Sequence, residues 1–118
     1  MSPAPPDLSI IIPSYNEELR LPATLERIAS YLQTRGREAE ILVVDDGSKD
    51  RTAAVAESFR SKITSLRVVS NGVNRGKGFS VRHGMQEARG RIALFTDADL
   101  PHRSRKPGNS SMHWKRLT

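Results

Sequence analysis

Apolar residues occur along the chain in short unbroken runs, and the segments between the runs carry helical periods. Leu8-Ser9-Ile10-Ile11-Ile12, residues 41–44 and residues 92–95 show almost no polar alternation, which is typical of strands buried on both faces of a parallel sheet. A weaker strand is predicted over residues 66–69, because Arg67 interrupts it. We expect Pro13 to end the first strand, since proline cannot donate to a sheet.

The segment after the first strand predicts an amphipathic helix. Leu21, Leu25, Ile28 and Leu32 fall at i, i+4, i+7 and i+11, and Pro22 suits a first helical turn. The helix is predicted to run to about Gln33.

Two further helices are predicted. One is expected from the capping residue Asp50 through Thr52 to Phe59. The other follows the glycine-rich segment 71–78, with an apolar face formed by Val81, Met85 and Ala88 and an end at Gly90.

Strands and helices therefore alternate with short connections, which predicts an α/β fold, a Rossmann-like and mostly parallel sheet with flanking helices. Ligands of such sheets bind beyond the carboxyl ends of the strands. The segments at that edge are 13–17, 45–48, 71–78 and 97–99, and they contain the chain's unusual polar chemistry.

Asp97 and Asp99 lie one residue apart directly after the last buried strand. An acidic turn of this kind is often only a helix cap. Hard oxygen ligands next to three other polar loops favour a site for Mg²⁺ or Mn²⁺, ions that commonly share their coordination with substrate phosphates.

Asp45 and Asp46 end the second strand and begin a tight turn. One interpretation is a solvated turn, since Asp-Gly pairs are common there. The other assigns them to a nucleotide pocket, where the Asp45 carboxylate accepts hydrogen bonds from the edge of uracil or guanine, but not adenine. Tyr15 either packs on the protein or stacks on the same base.

Two cations, Arg75 and Lys77, lie among glycines where a helix should begin, and helix N-termini favour anions. The alternative is an exposed basic loop. The spacing excludes a Walker A motif, because Gly78 stands where Ser or Thr is required. We assign no role to His83, on the following helix.

Composition limits the remaining possibilities. The 118 residues suffice for one domain, and the absence of cysteine excludes disulfides and thiolate metal sites. The net charge of +6 suggests nucleic acid, but residues 1–100 have a net charge of only +1, with fourteen basic and thirteen acidic residues. The remaining +5 belongs to residues 101–118, so we expect no nucleic-acid partner.

Four segments together resemble family 2 of the glycosyltransferases: 11–18, 43–50, 74–78 and 96–100. The similarity is greatest to the polyprenyl-phosphate group, the dolichyl-phosphate β-glucosyltransferase-like proteins, which share the Asn-Arg-Gly-Lys-Gly segment. The resemblance implies the A-type nucleotide-diphospho-sugar fold over residues 8–100, following an N-terminal extension of residues 1–7.

The resemblance also implies roles for individual residues. Pro13, Tyr15, Glu17 and Asp45 would line the nucleotide pocket, Lys77 would lie near the diphosphate, and Asp97 and Asp99 would hold the metal and its diphosphate. The implied reaction transfers glucose from UDP-glucose to dolichyl or polyprenyl phosphate with inversion. A GDP-mannose-dependent mannosyltransferase is the alternative.

Residues 101–118 break the pattern with a basic, irregular tail that contains two prolines. We interpret it as translated out of frame, because back-translation with one base restored after the Leu100 codon can encode an acidic amphipathic helix. The alternative is a natural tail that binds anionic lipid or nucleic acid. On the first interpretation the chain is truncated after Asp99 and inactive in transfer. The complete enzyme would act at the cytoplasmic membrane face, held there by parts this chain lacks.

Overall fold

The computed structural model describes residues 6–36, 38–96 and 115–116. Four strands and three helices alternate, and a fifth short strand follows. In chain order the elements are β1 (Leu8–Ser14), α1 (Leu21–Arg35), β2 (Ala39–Asp45), α2 (Thr52–Ser58), β3 (Leu66–Ser70), α3 (Lys77–Glu87), β4 (Ile92–Phe95) and β5 (Lys115–Arg116).

The strands form one sheet in the order β3-β2-β1-β4-β5. The first four are parallel, which confirms the predicted α/β architecture, and β5 pairs antiparallel to β4. Lys115 and Arg116 thus form an edge strand within the segment that was predicted to be irregular.

The helices cover both faces of the sheet. Ile10, Ile12 and Val43 pack with α1 and α2 on one face. Ile11 and Val44 belong to a second cluster on the opposite face, where α3 lies. Each strand of the sheet centre is therefore buried on both sides, which explains its unbroken apolar run.

Strand β1 is the topological switch point. The chain moves from β1 outward to β2 and β3, and then returns to add β4 on the other side of β1. In open α/β sheets the ligand crevice lies at such a reversal, beyond the carboxyl ends of the strands.

The predicted face of α1 is confirmed. Leu21, Leu25 and Ile28 are fully buried, and Leu32 packs partly against the same cluster. Gly36 ends the helix in a left-handed conformation, and its N–H donates to the carbonyl of Leu32.

The prediction that Pro13 ends the first strand was wrong. β1 continues to Ser14, with Pro13 opposite Val44 of β2. The Ile11 carbonyl accepts from the Thr96 N–H on the β4 side. The backbone nitrogen of Pro13, two residues further along the strand, therefore also points toward β4. The described pairing with β4 stops at Ile11, so the missing N–H removes no ladder hydrogen bond there.

Of the apolar face predicted for α3, only Ala88 packs against the core, and the predicted end of the helix was wrong. Its buried residues are Ser80 and Gly84, whereas Met85 is exposed. A Cβ on Gly84 would lie 2.5 Å from Cγ2 of Ile11, so the helix packs on the sheet through small residues. The helix ends at Glu87, and Gly90 instead lies against β1, where a Cβ would meet the Leu8 carbonyl carbon at 2.6 Å.

Glu40 joins the amino-terminal edge of the sheet to the end of α3. Its buried carboxylate accepts from the Ser9 hydroxyl at 2.6 Å, from the Arg89 N–H and from the Arg67 guanidinium. Arg67 also donates to the carbonyl of Glu87 at 2.8 Å. The arginine that made the third strand look weak is therefore the partner of a buried acid on the neighbouring strand.

Glu40 should contribute to acid sensitivity. Burial alone would raise the pKa of Glu40, but hydrogen bonds from Ser9, Arg89 and Arg67 outweigh it and hold that pKa below its usual 4.5. The folded state then binds fewer protons than the unfolded state, so the stabilisation is complete above pH 4.5 and is lost as the pH falls through the folded pKa.

The measurement is the free energy of unfolding between pH 7 and pH 3 for the native chain and Glu40→Gln. We expect the native chain to lose more stability over the acid range, by at most about 1.4 kcal/mol per pH unit for this one proton. Parallel curves for the two proteins would contradict the assignment.

The part of the chain that the structure describes contains no helix with both the length and the apolar content needed to cross a bilayer.

Candidate functional site

The polar loops that follow β1, β2 and β3 meet at one edge of the sheet, as predicted from the order of the elements. The Asp46 N–H donates to the Ser14 carbonyl at 2.9 Å, and the Asn71 N–H donates to the Asp45 carbonyl at 2.9 Å. Each strand end is thus fastened to the next. Thr96, the residue after β4, donates its N–H to the Ile11 carbonyl of β1 at 3.1 Å.

The loops after β1 and β2 are joined by reciprocal hydrogen bonds. The Asn16 N–H donates to the Ser48 hydroxyl at 2.9 Å, and the Lys49 N–H donates back to the Asn16 side-chain oxygen at 2.8 Å. Asn16 adopts a positive φ of 52°, which asparagine tolerates better than most residues. These hydrogen bonds therefore hold the loop after β1 against the loop after β2.

A second set of bonds continues the same joint. The Glu17 N–H donates to the Thr52 hydroxyl at 2.8 Å, and the Glu18 N–H donates to the Asp50 carboxylate at 3.2 Å. Asp50 also accepts from the Thr52 N–H at 2.9 Å, but the N-cap residue of α2 is Arg51, so Asp50 binds the first N–H of the helix from one position before the predicted cap. The Arg51 N–H returns a bond to the Glu18 carboxylate.

Tyr15 and Glu17 lie on the loop that this joint fixes. Tyr15 is 41% exposed, so its ring does not serve as core packing, and a base could stack on it. Glu17 is partly buried beside Arg20, with 3.6 Å between the charged groups. Pro13 is also partly buried, in the strand just before the loop. Their predicted roles in nucleotide binding stay predictions.

Asp45 is buried at the end of β2 and keeps one oxygen available. Its Oδ1 accepts from the Ser48 N–H at 3.1 Å, and Oδ2 accepts no hydrogen bond from the described residues. A carboxylate held at one oxygen and open at the other suits the recognition of an N–H edge.

Asp46 has a different environment from its neighbour. Its Oδ1 accepts from the Asn71 amide at 2.8 Å and the Arg75 N–H at 2.7 Å, while Oδ2 accepts from the Asn74 amide at 3.0 Å and the Gly76 N–H at 2.9 Å. Four donors from the loop after β3 thus occupy the carboxylate that was predicted to contact nucleotide. In the structure the Asp46 carboxylate therefore has an internal role.

The protonation of Asp46 follows from these contacts. Burial alone would raise the pKa of Asp46, but the N–H groups of Arg75 and Gly76, the Asn71 amide and the positive charge of Arg75 hold that pKa below its usual value. The group is therefore a carboxylate at neutral pH, as a fourfold acceptor must be.

Gly47 lets the two loops touch. Its φ is +72°, and a Cβ there would lie 2.5 Å from the Asn74 nitrogen and 2.6 Å from the Val73 carbonyl carbon. Only glycine permits both this conformation and this contact.

The two cations of the glycine-rich segment lie over aromatic rings. Lys77, at the start of α3, has its Nζ 5.5 Å from the centre of the Phe95 ring in β4. Arg75 lies 5.1 Å from the ring centre of Phe79. The ammonium group of Lys77 thus lies near the end of β4. The predicted metal ligands follow this strand in the sequence.

The sequence alone missed Asn71 and His83. Asn71 donates to Asp46 and to the Ser80 hydroxyl, both at 2.8 Å, and its Oδ1 lies 2.7 Å from Nδ1 of His83. Asn71 directly follows β3, and this position at the end of a strand could have indicated a role in the site. His83 carried no such signal, because its partner lies twelve residues away.

Asp97 and Asp99 lie outside the described residues, so their predicted metal role stays a prediction. The described residues themselves contain no cluster of three or more acidic or histidine side chains suited to a metal. The two carboxylates supply the hard oxygen donors that Mg²⁺ and Mn²⁺ prefer.

Known proteins share the sequence pattern and the fold of this chain. The family described as glycosyl transferase family 2 matches residues 9–106. The chain belongs to this family. Dolichyl-phosphate beta-glucosyltransferase of Homo sapiens is 44% identical over 99 residues, covering 78% of this chain and 31% of the relative.

Two solved structures extend the likeness to the fold. S. aureus TarS 1–349 in complex with UDP-GlcNAc superposes with a TM-score of 0.70 at 33% identity, covering 79% of this chain and 26% of that one. Mannosyltransferase PcManGT from Pyrobaculum calidifontis, in complex with GDP-Man and Mn²⁺, gives 0.70 at 28% identity, covering 81% and 28%. These neighbours confirm the A-type glycosyltransferase fold.

The chain spans about a third of the length of the curated relatives it matches.

Proposed function

We propose that this chain carries the nucleotide-sugar-binding part of a glycosyltransferase that moves glucose from UDP-glucose to dolichyl or another polyprenyl phosphate. The 44% identity to a dolichyl-phosphate beta-glucosyltransferase is the observation that carries the proposal. The open Oδ2 of Asp45, at the end of β2, and the exposed ring of Tyr15, just after β1, support it, because they offer one acceptor and one stacking face to a nucleobase at the same edge of the sheet.

The proposed chemistry is a single inverting displacement. An oxygen of the acceptor phosphate attacks the anomeric carbon of glucose, the bond from that carbon to the diphosphate oxygen breaks, and UDP leaves with the electron pair. Because a phosphate acceptor is already ionised, the reaction requires little help from a protein base. Residues at this edge bind and orient the donor, and their contribution is positional.

Asp97 and Asp99 are proposed to hold Mg²⁺ or Mn²⁺, which when bound would neutralise charge on the departing nucleoside diphosphate. Lys77 is proposed to add a positive charge near the same diphosphate, since it lies by the end of β4. The lipid acceptor leads us to assign the whole protein to the cytoplasmic face of a membrane.

The donor base is tested by calorimetry with UDP, GDP and ADP in Mn²⁺. We expect UDP to bind most tightly and ADP not to bind, because a carboxylate acceptor matches the imide N–H of uracil and not the edge of adenine. Tighter binding of GDP would favour a mannosyltransferase-like donor, as in the GDP-Man complex of the mannosyltransferase PcManGT. Binding of none of the three would overturn the proposal.

Asp45→Asn tests the contact to the base. The asparagine side chain has no negative charge, and its amide nitrogen cannot accept a hydrogen bond. We therefore expect the dissociation constants of uridine and of UDP to rise by the same factor, about tenfold for ~1.4 kcal/mol. Equal affinities in the variant and the native chain would remove Asp45 from the pocket.

A further inference from the structure

Asp46 binds the loop over residues 71–76 from a buried position. It is 5% exposed, and its carboxylate accepts from both the side chains and the backbone of the loop over residues 71–76. Its own carbonyl accepts a further bond from the Asn74 amide at 3.2 Å. A carboxylate with four internal donors has little capacity left for a ligand.

The contact between Gly47 and the loop reinforces this connection. The backbone of residues 73–74 passes within van der Waals distance of Gly47, the residue next to Asp46. The loop is therefore held by charge-assisted hydrogen bonds on one side and by direct backbone packing on the other. Both attachments are made by residues of the chain itself.

Asn71 extends the network into α3. Its amide nitrogen uses both protons, one to Asp46 and one to the Ser80 hydroxyl, so its Oδ1 must be the acceptor for Nδ1–H of His83. The Ser80 hydroxyl then donates to the Gly76 carbonyl at 3.1 Å. The first turn of α3, which begins with Lys77, is thereby fixed to Asp46 through two routes.

We propose that Asp46 is a positioning residue that does not touch the nucleotide, and that it holds the 71–76 loop so that Lys77 and the first turn of α3 meet the diphosphate of a nucleoside-diphosphate sugar. His83 supports this arrangement by fixing the orientation of the Asn71 amide. The choice of a diphosphate as the ligand rests on the proposed function. The positioning of the 71–76 loop by Asp46 does not depend on it.

Asp46→Asn separates positioning from contact when uridine and UDP are titrated in Mn²⁺. Losing the carboxylate loosens the loop, so we expect UDP to bind about tenfold more weakly, equivalent to ~1.4 kcal/mol, while uridine changes less than about twofold. A parallel loss for both ligands would mean that Asp46 contacts the nucleoside, and unchanged affinity for both would mean that the loop does not depend on it. Either result overturns the proposal.

Glu40→Gln is the matched control, because Glu40 is also a buried carboxylate that accepts a backbone N–H, but at the amino-terminal edge of the sheet. We expect it to leave the UDP-to-uridine affinity ratio unchanged. A similar drop in that ratio for Glu40→Gln would show that general loosening, and not the loop, causes the effect.

Amide hydrogen exchange gives a readout that needs no ligand. The N–H groups of Arg75 and Gly76 donate to Asp46, so we expect them to exchange at least about tenfold faster in Asp46→Asn, and at native rates in Glu40→Gln. Unchanged exchange at both amides overturns the inference. Failure of the native chain to bind UDP, with faster exchange in the variant, would overturn the proposed ligand only.

Asn74→Ala provides a second variant if Asp46→Asn does not fold. Asn74 is exposed and donates twice to Asp46, so its removal should lower UDP affinity in the same direction by about threefold, again sparing uridine. No change in UDP affinity would contradict the proposal.

Discussion

Gly47→Ala is expected to destabilise the protein by more than about 2 kcal/mol and to weaken UDP binding more than about tenfold. A Cβ at this position would overlap the backbone of Val73 and Asn74, and a φ of +72° is strained for alanine. Because backbone atoms cannot swing aside like a side chain, the 71–76 loop must move. The measurements are chemical denaturation and UDP titration.

Gly72→Ala is the matched control for that variant. Gly72 also has a positive φ, +84°, but a Cβ there would meet nothing within 4 Å. We expect it to cost only the conformational strain, about 1 kcal/mol, and to leave the loop in place. Equal losses for the two variants would show that strain, and not contact with the loop, accounts for the effect at Gly47.

Gly84→Leu is expected to separate α3 from the sheet and to lower the free energy of unfolding by at least about 3 kcal/mol. The Cβ alone would lie 2.5 Å from Cγ2 of Ile11 and 3.2 Å from Cγ2 of Val44, two side chains fixed in the sheet. Urea denaturation measures the loss. Gln86→Leu places the same side chain at an exposed position of the same helix and should change stability by less than about 0.5 kcal/mol.

Steric overlap can be tested further with Gly84→Ala and Ile11→Ala. Each substitution should destabilise alone, and the double variant should be more stable than the sum of the two predicts, since removing the Ile11 side chain leaves space for the new methyl group. Additive losses would contradict the close packing of helix on strand.

The order of strands and helices was predictable because each buried strand is a continuous apolar run. The face of α1 was predictable for a related reason, since its four large apolar residues fall on one side of a helix. The face of α3 was not, because a helix that packs through Ser80 and Gly84 leaves no apolar period to find. There Val81 and Met85 gave a misleading pattern.

The candidate site was predictable to the level of loops but not of individual side chains. The order of elements predicted that segments following the strands would share an edge, and the structure brings the described ones together. The order of elements could not distinguish Asp45, which has one oxygen without a hydrogen bond, from Asp46. The Asp46 carboxylate accepts hydrogen bonds from residues 25 to 30 positions away. Hydrogen bonds over such separations leave no local period in a sequence.

The sequence by itself determined the parallel sheet, the family and the edge at which ligands are expected to bind, because local runs and adjacent motifs encode them. Only the tertiary structure decided which polar residues are available to a ligand and which hold the loops. Asn16, Asp46, Asp50 and Asn71 belong to the second group, since their side chains bond to other parts of the chain. The physical reason is that the partners of these side chains lie 25 to 33 residues away along the chain, so only the fold brings them together.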